Sequence, residues 1–183
     1  LWQKNLRPSQ IVTLSALRNA ITVSMALGGS TNVVLHLLAL AYELDIPLSL
    51  ETFDEISRQV PFICNIRPSG KYPILALEEA GGVPAILNEI SHLLDLLVMT
   101  VTGNTMLENI KGAKNRNPEV ICPPQNPLRK EGGIAILRGS LAPGGAVVKQ
   151  SAVSEKMLVH TGPARVFENE ESAREAVLAG QIK

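Results

Sequence analysis

The apolar positions of this chain fall first into a helical rhythm and then, past a polar break, into a strand rhythm. Leu14, Leu17, Ile21 and Met25 recur at three- and four-residue intervals, which predicts a helix over 11–27 with one buried stripe. Gly28 and Gly29 close it, because glycine takes the left-handed conformation that ends a helix. A second helix is predicted from about Thr31 to Leu44, stopped by Asp45-Ile-Pro47. Its stretch from Val33 to Ala41 is apolar almost all round, which predicts that it is buried. Leu50 to Gln59 is amphipathic, with Glu51, Asp54, Glu55 and Arg58 on the outer face. Val60-Pro-Phe-Ile-Cys-Asn65 reads as a short buried strand. Helices are expected over 74–80 and 83–94, strand character over 96–101, and a short helix over 103–111.

The pattern changes at Gly112. Residues 112–119 are polar, and Pro123 to Gly133 is rich in proline and glycine, the composition of a linker. Beyond it, Ile134-Ala-Ile-Leu137 and Ala146-Val-Val-Lys149 flank Leu141-Ala-Pro-Gly-Gly145 and predict a hairpin. Gly162 to Phe167 reads as a further strand. Asn169 is placed to cap a last helix with Glu170 and Glu171 in its first turn, where acids suit the helix dipole. Alternating helices and strands make the fold class α/β.

One joint carries candidate chemistry. In Ala26-Leu-Gly-Gly-Ser-Thr-Asn32, Ser30 or Thr31 can cap the helix that follows. The free N–H groups and positive dipole end expected there suit an anion. Asn32 and His36 lie one turn apart on a shared face. Downstream, Arg67 and Lys71 bracket the bend at Pro68 and Gly70 with positive charge, which suits a carboxylate or phosphate. The plainer readings are a helix–helix joint, a hydrogen-bonded core histidine and a solvated basic turn.

Composition narrows the function classes. Lys+Arg and Asp+Glu are 17 each, so the chain has no basic excess for a nucleic acid. Aromatic residues make up 3%, too few for base-stacking platforms. The apolar stretch around 33–42 is too short to cross a bilayer. The first eight residues lack the apolar run of a signal peptide, and no initiating Met is present, so a processed or cloned piece is expected. Cys64 and Cys122 are far apart and outside any C-x-x-C pattern, which predicts neither a disulfide framework nor a metal knuckle. A reducing compartment is the default expectation.

Taken together, several ordered blocks resemble the dihydroxy-acid/6-phosphogluconate dehydratase family. They are Ala16-Leu-Arg-Asn-Ala20, the Gly28–Asn32 joint with His36-Leu-Leu38, Pro68-Ser-Gly-Lys-Tyr72, and Glu79-Ala-Gly-Gly-Val-Pro-Ala85. Thr100-Val-Thr-Gly103, the run from Gly132 to Lys149 and Gly162-Pro-Ala-Arg-Val-Phe167 follow in the same order. The resemblance implies a hydro-lyase that removes water from a 2,3-dihydroxy acid to give a 2-keto acid, with dihydroxy-acid dehydratase and branched-chain amino-acid biosynthesis the foremost reading. A sugar-acid or 6-phosphogluconate dehydratase is the alternative within the family, and a non-catalytic anion-binding scaffold the alternative outside it. Two departures bear on the subfamily: Pro73-Ile-Leu-Ala-Leu77 is apolar where an acidic pair is usual, and Asn104 stands where a basic residue is common.

The same resemblance implies an iron–sulfur cluster and Mg2+ in the full-length protein, with their ligands and the catalytic Ser outside this chain. No catalytic and no metal-binding residue is therefore assigned within it, no cofactor is expected to be held by it, and an internal fragment is expected. Ser30, Thr31, Asn32 and Lys71 are the candidate substrate-binding residues. The expected partition is 1–122 as the end of an α/β N-terminal domain, 123–131 as linker, and 132–183 as the incomplete start of a β-barrel-like swivelling domain. The expected partner is a small dihydroxy acid, with no nucleic acid and no membrane. A homo-oligomer, most simply a dimer, is expected in the cytoplasm or an organelle matrix.

Overall fold

The computed structural model describes residues 1–182. Two compact units are present, residues 1–153 and residues 154–182. In the first, a short α1 (Pro8–Ile11) precedes α2 (Leu14–Leu27), α3 (Asn32–Glu43), α4 (Leu50–Gln59), α5 (Ile74–Glu79), α6 (Gly82–Glu89) and α7 (Met106–Ile110). An antiparallel pair, β1 (Ala135–Gly139) and β2 (Ala142–Val148), follows. The second unit carries α8 (Glu170–Leu178). Mixed helix with one small antiparallel sheet is consistent with the α/β class.

The predicted first helix is broken once. Val12 and Thr13 leave the helix, and the Thr13 hydroxyl caps α2 by accepting from the Ala16 amide at 3.2 Å. Helix α2 then buries Leu17, Ile21, Met25 and Ala26, as its stripe requires. Gly28 ends it at φ 67°. Helix α4 matches its predicted span and buries Phe53 and Ile56 beneath the outward carboxylates.

The core is organised on the segment 60–66, which differs from the continuous strand its composition predicts. Phe62, Ile63, Cys64 and Ile66 are all buried, but each bridge is isolated: Phe62 with Arg129, Cys64 with Ile121, Ile66 with Tyr72. Pro61 within the run has no N–H to donate, so no continuous ladder forms. The backbone groups are satisfied by three different segments. Ile63 donates to the Ala26 carbonyl at 3.0 Å, Cys122 to Ile63 at 2.8 Å, and Leu128 to Phe62 at 3.0 Å. The proline-rich stretch read as a linker is therefore bonded to this spine, with Val120 and Ile121 fully buried.

Two further elements differ from expectation. Residues 162–167 form no strand; there the Arg165 guanidinium lies 5.0 Å from the Phe167 ring centre and also donates to the Gln181 carbonyl. Residues 96–101 turn rather than extend, with a single bridge from Met99 to Thr105. The hairpin forms with a tighter turn than expected, residues 142–145 lying in β2 with Ala142 paired to Gly139. The Asn169 cap forms as predicted, its side chain accepting from the Ser172 amide at 2.9 Å.

Helix α3 is the main correction. Only Val34 and Ala41 are buried, while Leu35 is 67% and Tyr42 82% exposed. The helix packs on α2 through one side, and Leu35, Leu40 and Tyr42 are exposed. A second apolar surface, a recess of about 430 Å³, lies between α2, α6 and residues 98–101. No described helix is long and apolar enough to cross a membrane.

This distribution sets different costs for two apolar side chains. Phe53→Ala empties a fully buried site and should cost about 3–5 kcal/mol. Leu35→Lys alters an exposed position and should change stability by less than about 0.5 kcal/mol. Urea unfolding of the two variants against the parent chain measures both; a large loss in Leu35→Lys would mean that α3 is covered after all.

Candidate functional site

The Gly28–Asn32 joint is fixed by close packing. A Cβ at Gly28 would meet the Phe62 ring at 2.5 Å, and a Cβ at Gly133 would meet the Gly28 Cα at 2.4 Å. Both positions admit only glycine, so the α2 terminus and the base of β1 meet backbone to backbone, with the Phe62 ring of the 60–66 spine packed on Gly28. Gly133 donates to the Met25 carbonyl at 2.9 Å, and Gly132 donates to Ser57 at 2.7 Å.

From this joint the chain runs out to the candidate residues. Ser30 and Asn32 are exposed and Thr31 is half-buried. Thr31 occupies the cap position of α3, but its hydroxyl makes no capping bond; the Ser30 hydroxyl accepts from the Asn32 amide at 3.3 Å instead. Val33 donates to the Ser30 carbonyl and Val34 to that of Thr31, both at 3.1 Å. The first-turn amides expected to be free are thus engaged within the turn. What the joint presents outward is the side chains of Ser30 and Asn32, both able to donate to an oxyanion. His36 is exposed on α3, not a core histidine.

The second candidate segment, 65–72, is held by side chains. Asn65 accepts from the Lys71 amide at 3.0 Å and donates to the Glu119 carbonyl at 3.1 Å. The Tyr72 hydroxyl donates to the Glu119 carboxylate at 2.6 Å, and that bond raises the phenol above its ordinary range. The Arg67–Pro68 peptide is cis. The Arg67 guanidinium donates to the Lys71 carbonyl at 3.2 Å, while the Lys71 side chain is exposed.

Three contributions were not legible in the motifs. Asn19 is buried and clamps residue 95 at two points, donating to the Asp95 carbonyl at 2.8 Å and accepting from its amide at 2.9 Å. Its place in Ala16-Leu-Arg-Asn-Ala20 is structural. Lys149 reaches back to the joint, its ammonium donating to the Gly28 carbonyl at 2.7 Å. Ser151 meets Ser69, hydroxyl to hydroxyl, at 3.1 Å. A single lysine closing the apolar run Ala146-Val-Val was the only sequence signal for the Lys149–Gly28 contact.

No three His, Cys, Asp or Glu side chains gather into a metal-binding group among the described residues. An iron–sulfur cluster takes about four ligands, mostly cysteine thiolates. Here burial pushes the Cys64 thiol up to about 12, and burial also raises Cys122. Two cysteines with no clustered His, Asp or Glu beside them among the described residues do not fit such a cluster, so no chemistry of this chain is routed through one.

With this geometry in hand, comparison identifies the class. Residues 1–109 match the model of the dihydroxy-acid/6-phosphogluconate dehydratase N-terminal region, and residues 119–183 that of its C-terminal region. The chain belongs to the dihydroxy-acid/6-phosphogluconate dehydratase family. Within it, the chain is similar over its whole length to proteins named dihydroxy-acid dehydratase, with 54% identity to that of Solidesulfovibrio magneticus and 50% to that of Moorella thermoacetica. The protein of that name from Ignicoccus hospitalis is 54% identical over 99% of the chain. The chain spans about a third of the length of these relatives, 33%, 34% and 33% in turn.

The two thiols give a check on the packing. Cys122, half-buried, should react with a disulfide reagent at pH 8 well before Cys64, which should react only as the chain unfolds. The folded Cys64 pKa lies above the ordinary thiol value of 9.0, so the stabilisation from keeping it neutral is complete below pH 9. That stabilisation is lost as pH rises toward about 12. Equal reaction rates of the two thiols in the folded chain would contradict this burial.

Proposed function

We propose that the chain is an internal segment of a hydro-lyase that converts a 2,3-dihydroxy carboxylic acid into a 2-keto acid, as dihydroxy-acid dehydratase does by name. The carrying observation is identity near 50% to proteins of that name along the whole chain, across the junction of the two family regions. On this reading, residues 1–122 end the N-terminal domain, 123–131 lead out of it, and 132–183 begin a β-rich swivelling domain. The β1–β2 hairpin would be the first strands of its barrel-like sheet. A homodimer and a cytoplasmic or organelle-matrix location belong to the same proposal.

Within that enzyme, Ser30, Thr31 and Asn32 bind the substrate carboxylate or 2-hydroxyl, with Lys71 supplying positive charge. The chemistry needs such groups. A proton on the carbon beside a carboxylate leaves readily only when developing negative charge is neutralised. Hydroxide leaves readily only with a Lewis acid. An iron–sulfur iron and Mg2+ supply that in the family, and segments outside these 183 residues hold them. This chain's share is binding and orientation. Outward hydroxyl and amide donors at 30 and 32, and the exposed Lys71, support it.

Two measurements test the proposal. The 183-residue chain, reconstituted anaerobically with iron and sulfide, should show no cluster absorbance and no keto-acid formation. In the full-length protein, Asn32→Ala should raise KM for the dihydroxy acid by roughly five- to tenfold, the effect of one lost hydrogen bond of about 1 kcal/mol. A stoichiometric cluster on the chain alone, or unchanged kinetics in both Ser30→Ala and Asn32→Ala, would defeat it.

A further inference from the structure

We propose that Lys149 is a positioning residue, which with Ser151 fastens the two candidate substrate-binding segments, 28–32 and 67–72, to a single point at the exit of β2. The inference rests on the reading of those segments given above.

Three consecutive residues each hold a different piece of the joint. The Lys149 ammonium donates to the Gly28 carbonyl at 2.7 Å. The Gln150 side chain donates to the Gly132 carbonyl at 2.6 Å. Ser151, buried, donates its amide to the Gly133 carbonyl at 3.1 Å and shares a hydroxyl contact of 3.1 Å with Ser69. Gly28 lies two residues before Ser30, and Ser69 two residues before Lys71. A displacement at 149–151 therefore moves both segments together.

The chemistry at Gly28 favours a cation. Its carbonyl belongs to the cap of α2, the negative end of that helix dipole, and the residue lies in the left-handed conformation. A charge-assisted bond from an ammonium satisfies this carbonyl more strongly than a neutral donor does. Lys149 is half-buried. A neutral side chain of similar length would fill the same space and leave the carbonyl without this donor. Arginine would keep a charged donor there. The pair Lys149→Met and Lys149→Arg thus separates the bond from the packing.

Lys149 lies within residues 119–183, matched to the C-terminal family region, whereas both segments it fastens lie within 1–109. The contact thereby joins the two family regions at the candidate site, a coupling that neither region contains by itself.

The test uses the full-length protein. In Lys149→Met, KM for the dihydroxy acid should rise about tenfold with kcat within about twofold, while iron–sulfur absorbance stays unchanged. Lys149→Arg should restore most of the loss. Ser151→Ala should raise KM in the same direction by a smaller factor. Amide exchange in Lys149→Met should quicken at residues 29–33 and leave 53–60 as in the parent. Unchanged KM and exchange in Lys149→Met, beside a raised KM in Asn32→Ala, would overturn the positioning role alone. Unchanged KM in Ser30→Ala and Asn32→Ala would show instead that the site reading had failed. Loss of the cluster and of exchange protection throughout Lys149→Met, with no rescue by arginine, would mark a structural role and overturn the inference.

Discussion

The contact on which the first unit depends is between two backbones. Gly133 lies against Gly28 closely enough that a single Cβ would overlap the opposing chain, and the Phe62 ring fills the other side of Gly28. A hydrogen-bond pair from Gly132 and Gly133 to Ser57 and Met25 then locks the base of the hairpin onto α2 and α4. Hydrophobic burial supplies the driving force, through Ile134, Phe53 and Met25, but it is non-directional. The glycine contact gives it direction: only one placement of the hairpin brings these backbones together. The position of the Ser30–Asn32 turn follows from the same placement.

Much of this was legible in the sequence, and the reasons differ by element. Helix α4 could be read to its ends because its apolar and charged faces are sharply separated. The Asn169 cap and the Gly28 terminus were readable because their chemistry is local: one side chain or one φ angle decides each. The isolated bridges of 60–66 were not, because their partners lie 6 to 67 residues away, at Tyr72, Ile121 and Arg129. Apolar composition predicted that the segment is buried and extended. It carries no information about which segments would share its hydrogen bonds. The Lys149–Gly28 contact was illegible for the same reason, spanning 121 residues.

The candidate site itself was half legible. Side chains at 30–32 and 71 were named from a glycine-broken joint and a basic bend. Their amides were expected to be open, yet the structure uses them inside the turn. A helix start that bonds its own first carbonyls tightens toward 3-10 geometry and leaves fewer donors for an anion. Any recognition by this turn therefore falls to side chains, whose chemistry is more selective. A hydroxyl and a carboxamide distinguish a hydroxy acid from a bare anion in a way that backbone N–H groups do not.

Helix α3 shows how a correct pattern can be placed in the wrong environment. An apolar helix is expected to be enclosed, and the periodicity argument has no term for how much chain is available to enclose it. Here α3 seals one side against α2 and leaves Leu35, Leu40 and Tyr42 outward. The relatives are about three times as long as this chain. The recess between α2 and α6 is likewise lined almost wholly by apolar groups. Both surfaces have the composition of a protein interior, whereas the outer face of α4 has that of a solvated surface, with an Arg58–Asp54 pair at 2.8 Å along it. Apolar and charged faces are thus segregated around a single core, and the outer face of α4 marks a side of the unit built to meet water.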